Sequence, residues 1–433
     1  MFKNSTQEES LHKAIEIFKT AKENSSFYSK KYKDLKDIKS YDDWQKIPFL
    51  NRDELYKNTF PRTKDMLTRD LKGVIVTSTG GSSGMARYGI VTYKEFESFV
   101  EVQADSLKSI GIGSDDMIAN LFVAGNLWPS FFSLAEVIKK LDATHLPISA
   151  NIEVEKILKY IVEFEPTVLL SLPTVFIFLA DLIIEQNLDA DYVKTIAYAG
   201  EHMSEMTKSH IKKAFKNAQI HSLGYTSADC GLMGYQCLEC SSLEYHVPSS
   251  FQFIEIYNFE ENRVCEVGES GEVVVTNLAR SSLPIIRYRI GDIARYKNVA
   301  CSCKDKNPIL ILEGRAGEDF KLGGAYISMD TVEEAITEFV STDGISANYQ
   351  LVIEDVDQNK MKVTLKLESS DIKKSSKHTD KIKISLKEKI EELRVGEKMG
   401  YLTSVVMFVD IGSIQRSPIT GKIKHLADLR VKE

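Results

Sequence analysis

The stretch VIVTSTGGSSGMARYGIVT at residues 74–92 is the most informative part of the sequence. The apolar run at 74–76 predicts a buried strand, and residues 77–84 are all threonine, serine or glycine. A second run of strand-forming residues follows at 88–93. Glycine lets the backbone bend around an anion, and hydroxyl and free N–H groups donate hydrogen bonds to it. The pattern predicts a phosphate-binding loop between two strands, with a plain surface turn as the alternative. No Gly-Lys-Ser/Thr sequence of a Walker loop closes it.

The composition is that of a globular protein with more than one domain. A chain of 433 residues is long enough to form two or more separate cores. Its net charge of −7 and the absence of a basic stripe argue against a nucleic-acid partner. Pro173 and Asp181 interrupt the most apolar stretch, at 167–184, so we expect a strand and a core helix rather than a membrane span. Six cysteines without a signal-peptide pattern predict a reducing, cytoplasmic location.

Apolar periodicity predicts an α/β region, then a β-rich region, then a small α+β unit. We expect helices at 7–22, 95–109, 131–141, 152–163 and 174–186, and strands at 117–122, 144–147, 167–172 and 195–199. This alternation is typical of an α/β sheet covered on both faces. Further strands are predicted at 251–257, 271–276 and 283–289, then at 350–355, 361–367 and 404–409, with a helix at 379–393. The glycine- and charge-rich residues 314–324 are the candidate hinge, which predicts domains at 1–313 and 314–433.

Seven motifs in order along the chain resemble those of the adenylate-forming (acyl-CoA synthetase) superfamily, in its phenylacetate–CoA ligase-like branch. They are the segment at 42–49 with Phe27-Tyr28 before it, the glycine-rich loop at 79–84, YAGE at 198–201, YTSAD at 225–229, RYRIGD at 287–292, the stretch 314–321 and RSPITGK at 416–422. The resemblance implies a large N-terminal AMP-binding domain, built from β-sheets with covering helices plus a β-rich subdomain. It also implies a small, mobile α+β C-terminal domain.

The resemblance further implies a ligase that uses ATP and Mg²⁺ to activate a small carboxylic acid as an acyl-adenylate. It then passes the acyl group to a thiol, for which CoA is the expected acceptor. Lys422, Asp229 and Arg87 would be catalytic, with Asp229 holding Mg²⁺ because that ion prefers carboxylate and phosphate oxygens. The implied nucleotide-binding residues are Thr79, Gly80, Gly81, Ser82, Ser83, Gly84, Gly200, Glu201, Tyr225, Thr226, Asp292 and Arg315.

Several alternatives stay open at the level of sequence. The acyl acceptor can instead be a carrier-protein phosphopantetheine or a protein cysteine, and the chain can be a non-catalytic nucleotide-binding scaffold or sensor; a homodimer is also open. Met85-Ala86-Arg87 stands where many relatives carry a lysine, and Asp229 stands where they carry a glutamate. The acid pocket is expected near 124–128, Ala199 and 222–226. Trp128 and Phe131 indicate an aromatic or medium-sized apolar acid, with packing in the core as the alternative for either residue.

The cysteines form a separate constellation in the β-rich region. Cys237 and Cys240 are followed by His246, and Cys301 and Cys303 come some 60 residues later. Thiolates and imidazole at such spacing suit tetrahedral Zn²⁺. The resemblance implies a structural zinc held by His246, Cys301, Cys303 and either Cys237 or Cys240, and unconnected reduced cysteines are the alternative.

Overall fold

The N-terminal segment is held to the β-rich region by hydrogen bonds to a buried ion pair of that region. The computed structural model describes residues 5–78, 87–200, 203, 205–303, 305–315, 320–322, 325–327, 329–357, 360–416 and 423–430. These begin with helices α1 (Ser5–Asn24), α2 (Ser26–Lys31), α3 (Tyr41–Trp44) and α4 (Arg52–Asn58). Trp44 is fully buried and donates its indole N–H to Glu255 Oε2 at 3.1 Å. Arg287 Nε donates to the same oxygen at 3.0 Å, and Arg287 Nη1 donates to the carbonyls of Gln45 and Ile47.

A hairpin and a five-stranded parallel sheet follow. The hairpin consists of β1 (Val74–Ser78) and β2 (Tyr88–Thr92), which are antiparallel with Ser78 opposite Tyr88. The sheet comprises β3 (Met117–Asn120), β4 (Thr144–Leu146), β5 (Val168–Ser171), β6 (Thr195–Tyr198) and β7 (Gln219–Ser222). Around it lie α5 (Tyr93–Ser109), α6 (Ser130–Lys140), α7 (Val154–Phe164), α8 (Pro173–Glu185) and α9 (Glu205–Ala214).

The strand order of this sheet is β4-β3-β5-β6-β7, and every neighbouring pair is parallel. The predicted α/β alternation is therefore confirmed, with helix boundaries that differ by one or two residues from those expected. In open parallel sheets, ligands bind beyond the carboxyl ends of the strands. Gly200, which follows β6, and Leu223, which follows β7, lie at that edge.

The most apolar stretch of the sequence is divided as predicted between a buried strand, β5, and a helix, α8. Pro173 begins α8, where its missing N–H costs no hydrogen bond. Across the described ranges, no helix combines the length and apolarity that crossing a bilayer requires.

A six-stranded antiparallel sheet forms the β-rich region. A short hairpin, β8 (Tyr225–Ser227) and β9 (Gly231–Gly234), leads into it. The sheet contains β10 (Glu244–His246), β11 (Gln252–Asn258), β12 (Arg263–Val264), β13 (Gly271–Asn277), β14 (Tyr288–Tyr296) and β15 (Ile309–Arg315), in the order β10-β15-β14-β13-β11-β12. The strand predicted at 283–289 was wrong in its bounds, since β14 begins only at Tyr288. Pro284 has no N–H to donate, and Arg287 has a φ of 47°, so the extended ladder is interrupted before Tyr288.

The C-terminal part is built on a four-stranded sheet with the order β20-β19-β18-β21. Strands β16 (Phe320–Leu322) and β17 (Ala325–Ile327) form a separate hairpin. The four-stranded sheet contains β18 (Ile345–Asp357), β19 (Lys360–Ser369), β20 (Leu402–Asp410) and β21 (Leu426–Asp428). The helices of the C-terminal part are α10 (Met329–Ile336), α11 (Ile372–Ser375), α12 (Thr379–Lys389) and α13 (Glu391–Met399), with 3₁₀ turns at Thr337–Phe339 and Ser376–His378. Ile177 and Met206, from α8 and α9, join the core of this part. The domain boundary at 313/314 stays a prediction.

Candidate active site and cysteine cluster

Two predicted nucleotide-binding side chains meet between β8 and β14. Tyr225 Oη donates to Asp292 Oδ2 at 2.5 Å, across 67 positions of sequence. Asp292 also stands directly opposite Arg315 in the register of β14 and β15. The ring of Tyr225 lies 6.1 Å from that of Tyr245, centroid to centroid. Sequence motifs that are far apart in the chain therefore converge on one patch that combines an aromatic face with a carboxylate.

The two predicted catalytic side chains Arg87 and Asp229 form a close ion pair. Arg87 Nη2 lies 2.7 Å from Asp229 Oδ2, and Arg87 Nε lies 3.2 and 3.0 Å from Oδ1 and Oδ2. Both side chains are largely buried, with 13% and 9% of their surface exposed. Tyr288 Oη adds a longer hydrogen bond to Oδ2 at 3.4 Å. Sequence reasoning placed both residues in the site but missed their pairing, because no spacing rule links positions 142 residues apart.

The backbone beside the end of β1 is strained. Asn126 and Leu127 both have positive φ angles, 52° and 59°, in the left-handed region that non-glycine residues rarely adopt. Their carbonyls accept hydrogen bonds from Ser78, from its hydroxyl at 2.8 Å and its backbone N–H at 2.9 Å. Ser78 is the last residue before the glycine-rich loop. Such strain collects at functional sites, where surrounding contacts hold it in place.

An apolar cavity of about 220 Å³ opens beside Thr77 and the segment 226–228. Of the residues expected to line an acid pocket, Ala199, Leu223 and Thr226 do so. The expected stretch 124–128, which includes Trp128, does not line the cavity. Phe131 does not line it either and packs instead against the core beneath α6. The lining is Thr77, Val91, Glu95, Phe96, Phe99, Gln103, Phe122, Pro129, Ser130, Phe132, Ser133, Leu134, Ala199, Leu223, Thr226, Ser227, Ala228, Cys230, Gly231, Phe251, Asn277, Ala279 and Arg280.

Phenylalanines form a continuous wall of this cavity. Ring centroids lie 5.4 Å apart for Phe96 and Phe132, 6.4 Å for Phe96 and Phe99, and 6.4 Å for Phe99 and Phe251. These distances are typical of interacting aromatic pairs. The helical spacing of Phe96 and Phe99 is equally consistent with ordinary core packing, so the sequence alone could not assign them to a site.

Several predicted site residues lie outside the described residues, and their placement stays a prediction. They are Thr79, Gly80, Gly81, Ser82, Ser83, Gly84, Glu201 and Lys422. Arg315 ends β15, but its side chain is likewise outside the description. Gly200 is described and has a φ of 85°, which glycine adopts without steric cost.

The cysteine cluster is assembled from three separate stretches of chain. The ligand atoms of Cys237, Cys240, His246 and Cys301 all lie within 4.8 Å of one another. The sulfur of Cys237 lies 3.5 Å from that of Cys240 and 3.6 Å from that of Cys301. Cys303 Sγ lies 3.4 Å from His246 Nε2. Four of the five predicted ligands thus lie mutually close, with both Cys237 and Cys240 among them, and Cys303 contacts this group through His246.

His246 is oriented with one ring nitrogen turned toward the sulfurs. Its Nδ1 lies 3.2 Å from the carbonyl oxygen of Asn307, and since a carbonyl can only accept, Nδ1 carries the proton. Nε2 is then free to act as a ligand, the arrangement seen at most metal-binding histidines. Burial raises the pKa of the Cys301 thiol, but hydrogen bonds from the backbone and side chain of Cys303 outweigh it and lower this pKa to about 7. A thiolate is therefore accessible near neutral pH.

The chain is similar in sequence to phenylacetate–coenzyme A ligases over nearly its whole length. It is 23% identical to that of Escherichia coli (strain K12) over 427 residues, which cover 95% of this chain and 92% of the relative. It is 21% identical to that of Thermus thermophilus over 413 residues, covering 92% and 89%. No model of a known protein family matches the chain.

Solved structures share the fold. A 2-hydroxyisobutyryl-CoA ligase in its postadenylation state, bound to 2-HIB-AMP, has a TM-score of 0.79 at 18% identity, covering 97% of this chain and 88% of that one. The same ligase with CoA, in its thioesterification state, has a TM-score of 0.67 at 19% identity, covering 99% and 91%. The chain has the fold of the adenylate-forming superfamily and resembles its phenylacetate–CoA ligase branch, as the motifs indicated.

Proposed function

We propose that this chain is an AMP-forming acid–thiol ligase, which joins a small carboxylic acid to the α-phosphate of ATP, releases pyrophosphate and passes the acyl group to CoA. One observation carries the proposal. The segment 225–229 forms one wall of the apolar cavity through Thr226 and Ala228 and also bears Tyr225 and Asp229. An acid in the cavity would therefore lie next to the groups proposed to bind the nucleotide and its metal. Because adenylation depends on positioning and on donors aimed at developing charge, this adjacency is what the reaction needs.

Asp292 and Tyr225 would hold the nucleoside. A carboxylate can accept from both ribose hydroxyls, and the hydrogen bond from Tyr225 keeps Asp292 in place before they arrive. Tyr225 would present its ring to the adenine. Sequence likeness to phenylacetate–CoA ligases supports this assignment, and so does the shared fold.

Asp229 would hold Mg²⁺, whose charge would neutralise the phosphates when bound. The carboxylate suits this hard cation, but Arg87 contacts both of its oxygens in the structure. Binding of the metal at Asp229 therefore requires Arg87 to move aside. A released guanidinium can then bind phosphate oxygens, which offers a substitute for the lysine that many relatives carry after the loop.

We also propose a structural zinc in the cysteine cluster. Tetrahedral Zn–S bonds of about 2.3 Å place two sulfurs roughly 3.8 Å apart. The observed separations of 3.5 and 3.6 Å around Cys237 fit this geometry. A tetrahedral zinc takes four ligands, and five candidate groups are present. One of them, Cys303 or one of the others, would therefore remain a hydrogen-bonding neighbour of the site. Four protein ligands would close the site, so the metal would stabilise the fold and leave the chemistry to other residues.

Loss of zinc is expected to lower stability without removing catalysis. The purified protein should contain about one zinc per chain, and Cys301→Ser should reduce that content and the melting temperature, because metal binding energy is folding energy. The folded fraction should retain adenylation. Cys265→Ser is a matched control, since Cys265 is buried outside the cluster and should not change the zinc content. Elemental analysis that finds no zinc in protein purified without chelators would contradict the proposal.

Asp292→Ala is expected to weaken ATP binding at least tenfold. A charge-assisted hydrogen bond contributes about 1.5–3 kcal/mol, and two ribose hydroxyls lose their acceptor. Tyr225→Phe is the matched variant, because it removes the phenol's bond to Asp292 and keeps the ring. It should weaken binding far less. Calorimetric titration of ATP measures both, and equal affinities for wild type and Asp292→Ala would rule out a ribose-binding role.

A further inference from the structure

The cavity contains polar side chains, and most of them have their hydrogen bonds satisfied within the protein. Glu95 accepts from the backbone N–H groups of Thr92, Ser281 and Ser282 at 2.8–2.9 Å. Asn277 donates its side-chain amide to the carbonyl of Cys230 at 2.7 Å. These groups support the walls and leave little capacity to recognise a ligand.

Gln103 on α5 is different, because half of its amide is left without a partner. Its Nε2 donates to the carbonyl oxygen of Leu223 at 2.9 Å and to Ser106 Oγ at 3.0 Å. Ser106 donates its own proton to the backbone carbonyl of Gln103, so its oxygen must accept from Nε2. The Leu223 carbonyl can only accept, and the Ser106 hydroxyl has already donated its proton, so both need a donor from Gln103. The amide nitrogen must therefore face them, which fixes the orientation of the amide.

The carbonyl oxygen Oε1 of Gln103 therefore points away from Leu223 and Ser106. The side chain is 4% exposed and lines the cavity. Within the part of the chain that the structure describes, no donor bonds to Oε1, and Oε1 is not sealed off inside the protein. A buried acceptor of this kind loses free energy when an apolar group covers it. The cavity thus presents a fixed hydrogen-bond acceptor in an otherwise aromatic wall.

A second unsatisfied group, a donor, lies in the wall next to Asp229. Arg280 is buried and uses Nε and Nη1 on the carbonyls of Ile90 and Asp229, at 3.1 and 2.6 Å. Its Nη2 has no hydrogen-bond partner among the described residues. This nitrogen lies beside Gly89, where an added Cβ would be 2.7 Å from it and 2.6 Å from Thr77 Oγ1. The positive charge makes this wall the favourable place for a carboxylate. Gln103 Oε1, as an acceptor, would repel one.

We propose that the acid activated by this chain carries a hydroxyl or N–H donor on a ring-sized apolar body, and that Gln103 Oε1 accepts from this donor and determines specificity. The inference rests on the proposed function, because it concerns the acid of that reaction. The carboxylate turns toward Arg280 and the segment 225–229. The apolar body packs against Phe96, Phe99 and Phe132.

The size of the cavity supports a ring-sized acid. A dry, apolar cavity of about 150 Å³ is enough to bind benzene. At about 220 Å³, this cavity has room for one ring with a short carboxylate arm and one small polar substituent.

The test compares acids that differ only in the donor. Acid-dependent ATP–pyrophosphate exchange is measured with phenylacetate and with its 2-, 3- and 4-hydroxy derivatives, alongside unsubstituted aliphatic acids of similar size. We expect at least one hydroxy isomer to give a kcat/KM about tenfold to a hundredfold above that of phenylacetate. An apolar ligand would leave Oε1 buried without a partner, which carries a penalty of this size.

Gln103→Leu should remove this preference. The ratio of kcat/KM between the favoured hydroxy acid and phenylacetate should fall to about one, and a ratio within one variant is unaffected by partial loss of folded protein. Ser106→Ala is the matched control, since it disturbs the same hydrogen bonds and leaves Oε1 in place. It should keep the wild-type ratio.

The outcomes separate the two proposals. Exchange with phenylacetate or an aliphatic acid, but no preference for any hydroxy isomer, would overturn the inference and leave the proposed function standing. A preference that survives in Gln103→Leu would overturn the role of Gln103. Absence of exchange with every acid would reject the proposed function, and the inference with it.

Discussion

Replacing Glu255 with alanine should destabilise the protein by about 3–5 kcal/mol, the usual cost of leaving one member of a buried ion pair without its partner. Glu255 and Arg287 have 1% and 0% of their side chains exposed, so water cannot compensate the remaining charge. The substitution also removes the acceptor of the Trp44 indole. Because Arg287 holds the backbone of 45–47, the N-terminal segment should loosen together with the β-rich sheet.

Chemical denaturation measures this effect, and the adjacent strands provide a matched control. Glu272 pairs with Arg289 at 2.7 Å, but 42% of the Arg289 side chain is exposed. Glu272→Ala should therefore cost less than about 1 kcal/mol. Equal shifts of the denaturation midpoint for the two variants would show that burial does not set the strength of the Glu255–Arg287 pair.

Lys422→Ala should lower acid-dependent adenylation at least a hundredfold while ATP binding survives. The terminal motif 416–422 implies that this lysine reaches the carboxylate and the α-phosphate, where negative charge develops in the transition state. Removing one such positioned group typically costs about 10²–10³ in rate. Lys424, two residues further on and exposed, is the matched control, and Lys424→Ala should leave exchange unchanged. Exchange within tenfold of wild type for Lys422→Ala would remove this lysine from the mechanism.

Much of the fold follows from local patterns in the sequence. The apolar periodicity at 95–109 and 174–186 and the short apolar runs between glycines and prolines predicted the helices and strands of the parallel sheet, because each pattern reflects one buried face. The helix predicted at 379–393 is instead two helices, α12 and α13, separated at Ile390. Ile390 has extended angles, which its place in an apolar pattern does not reveal.

The sequence motifs identified residues of the candidate site, but they did not predict which of these residues contact one another. Tyr225 and Asp292 were identified from separate motifs, and the structure joins them by a hydrogen bond. The Arg87–Asp229 pair and the free oxygen of Gln103 depend on tertiary packing between distant residues, which leaves no periodic trace in the sequence. Arg87 and Asp229 stand where many relatives carry other residues, and Gln103 lines the apolar cavity, so experiments on specificity should begin there.

Adenylation of an acid and its transfer to CoA can be separated in one assay. ATP–pyrophosphate exchange is followed across the panel of acids with CoA omitted, and CoA is then added while AMP and thioester are quantified. We expect exchange that depends on an acid and needs no CoA, followed by equal amounts of AMP and acyl-CoA when CoA is present. Exchange that requires CoA, or ATP cleavage to ADP with no AMP formed, would contradict it.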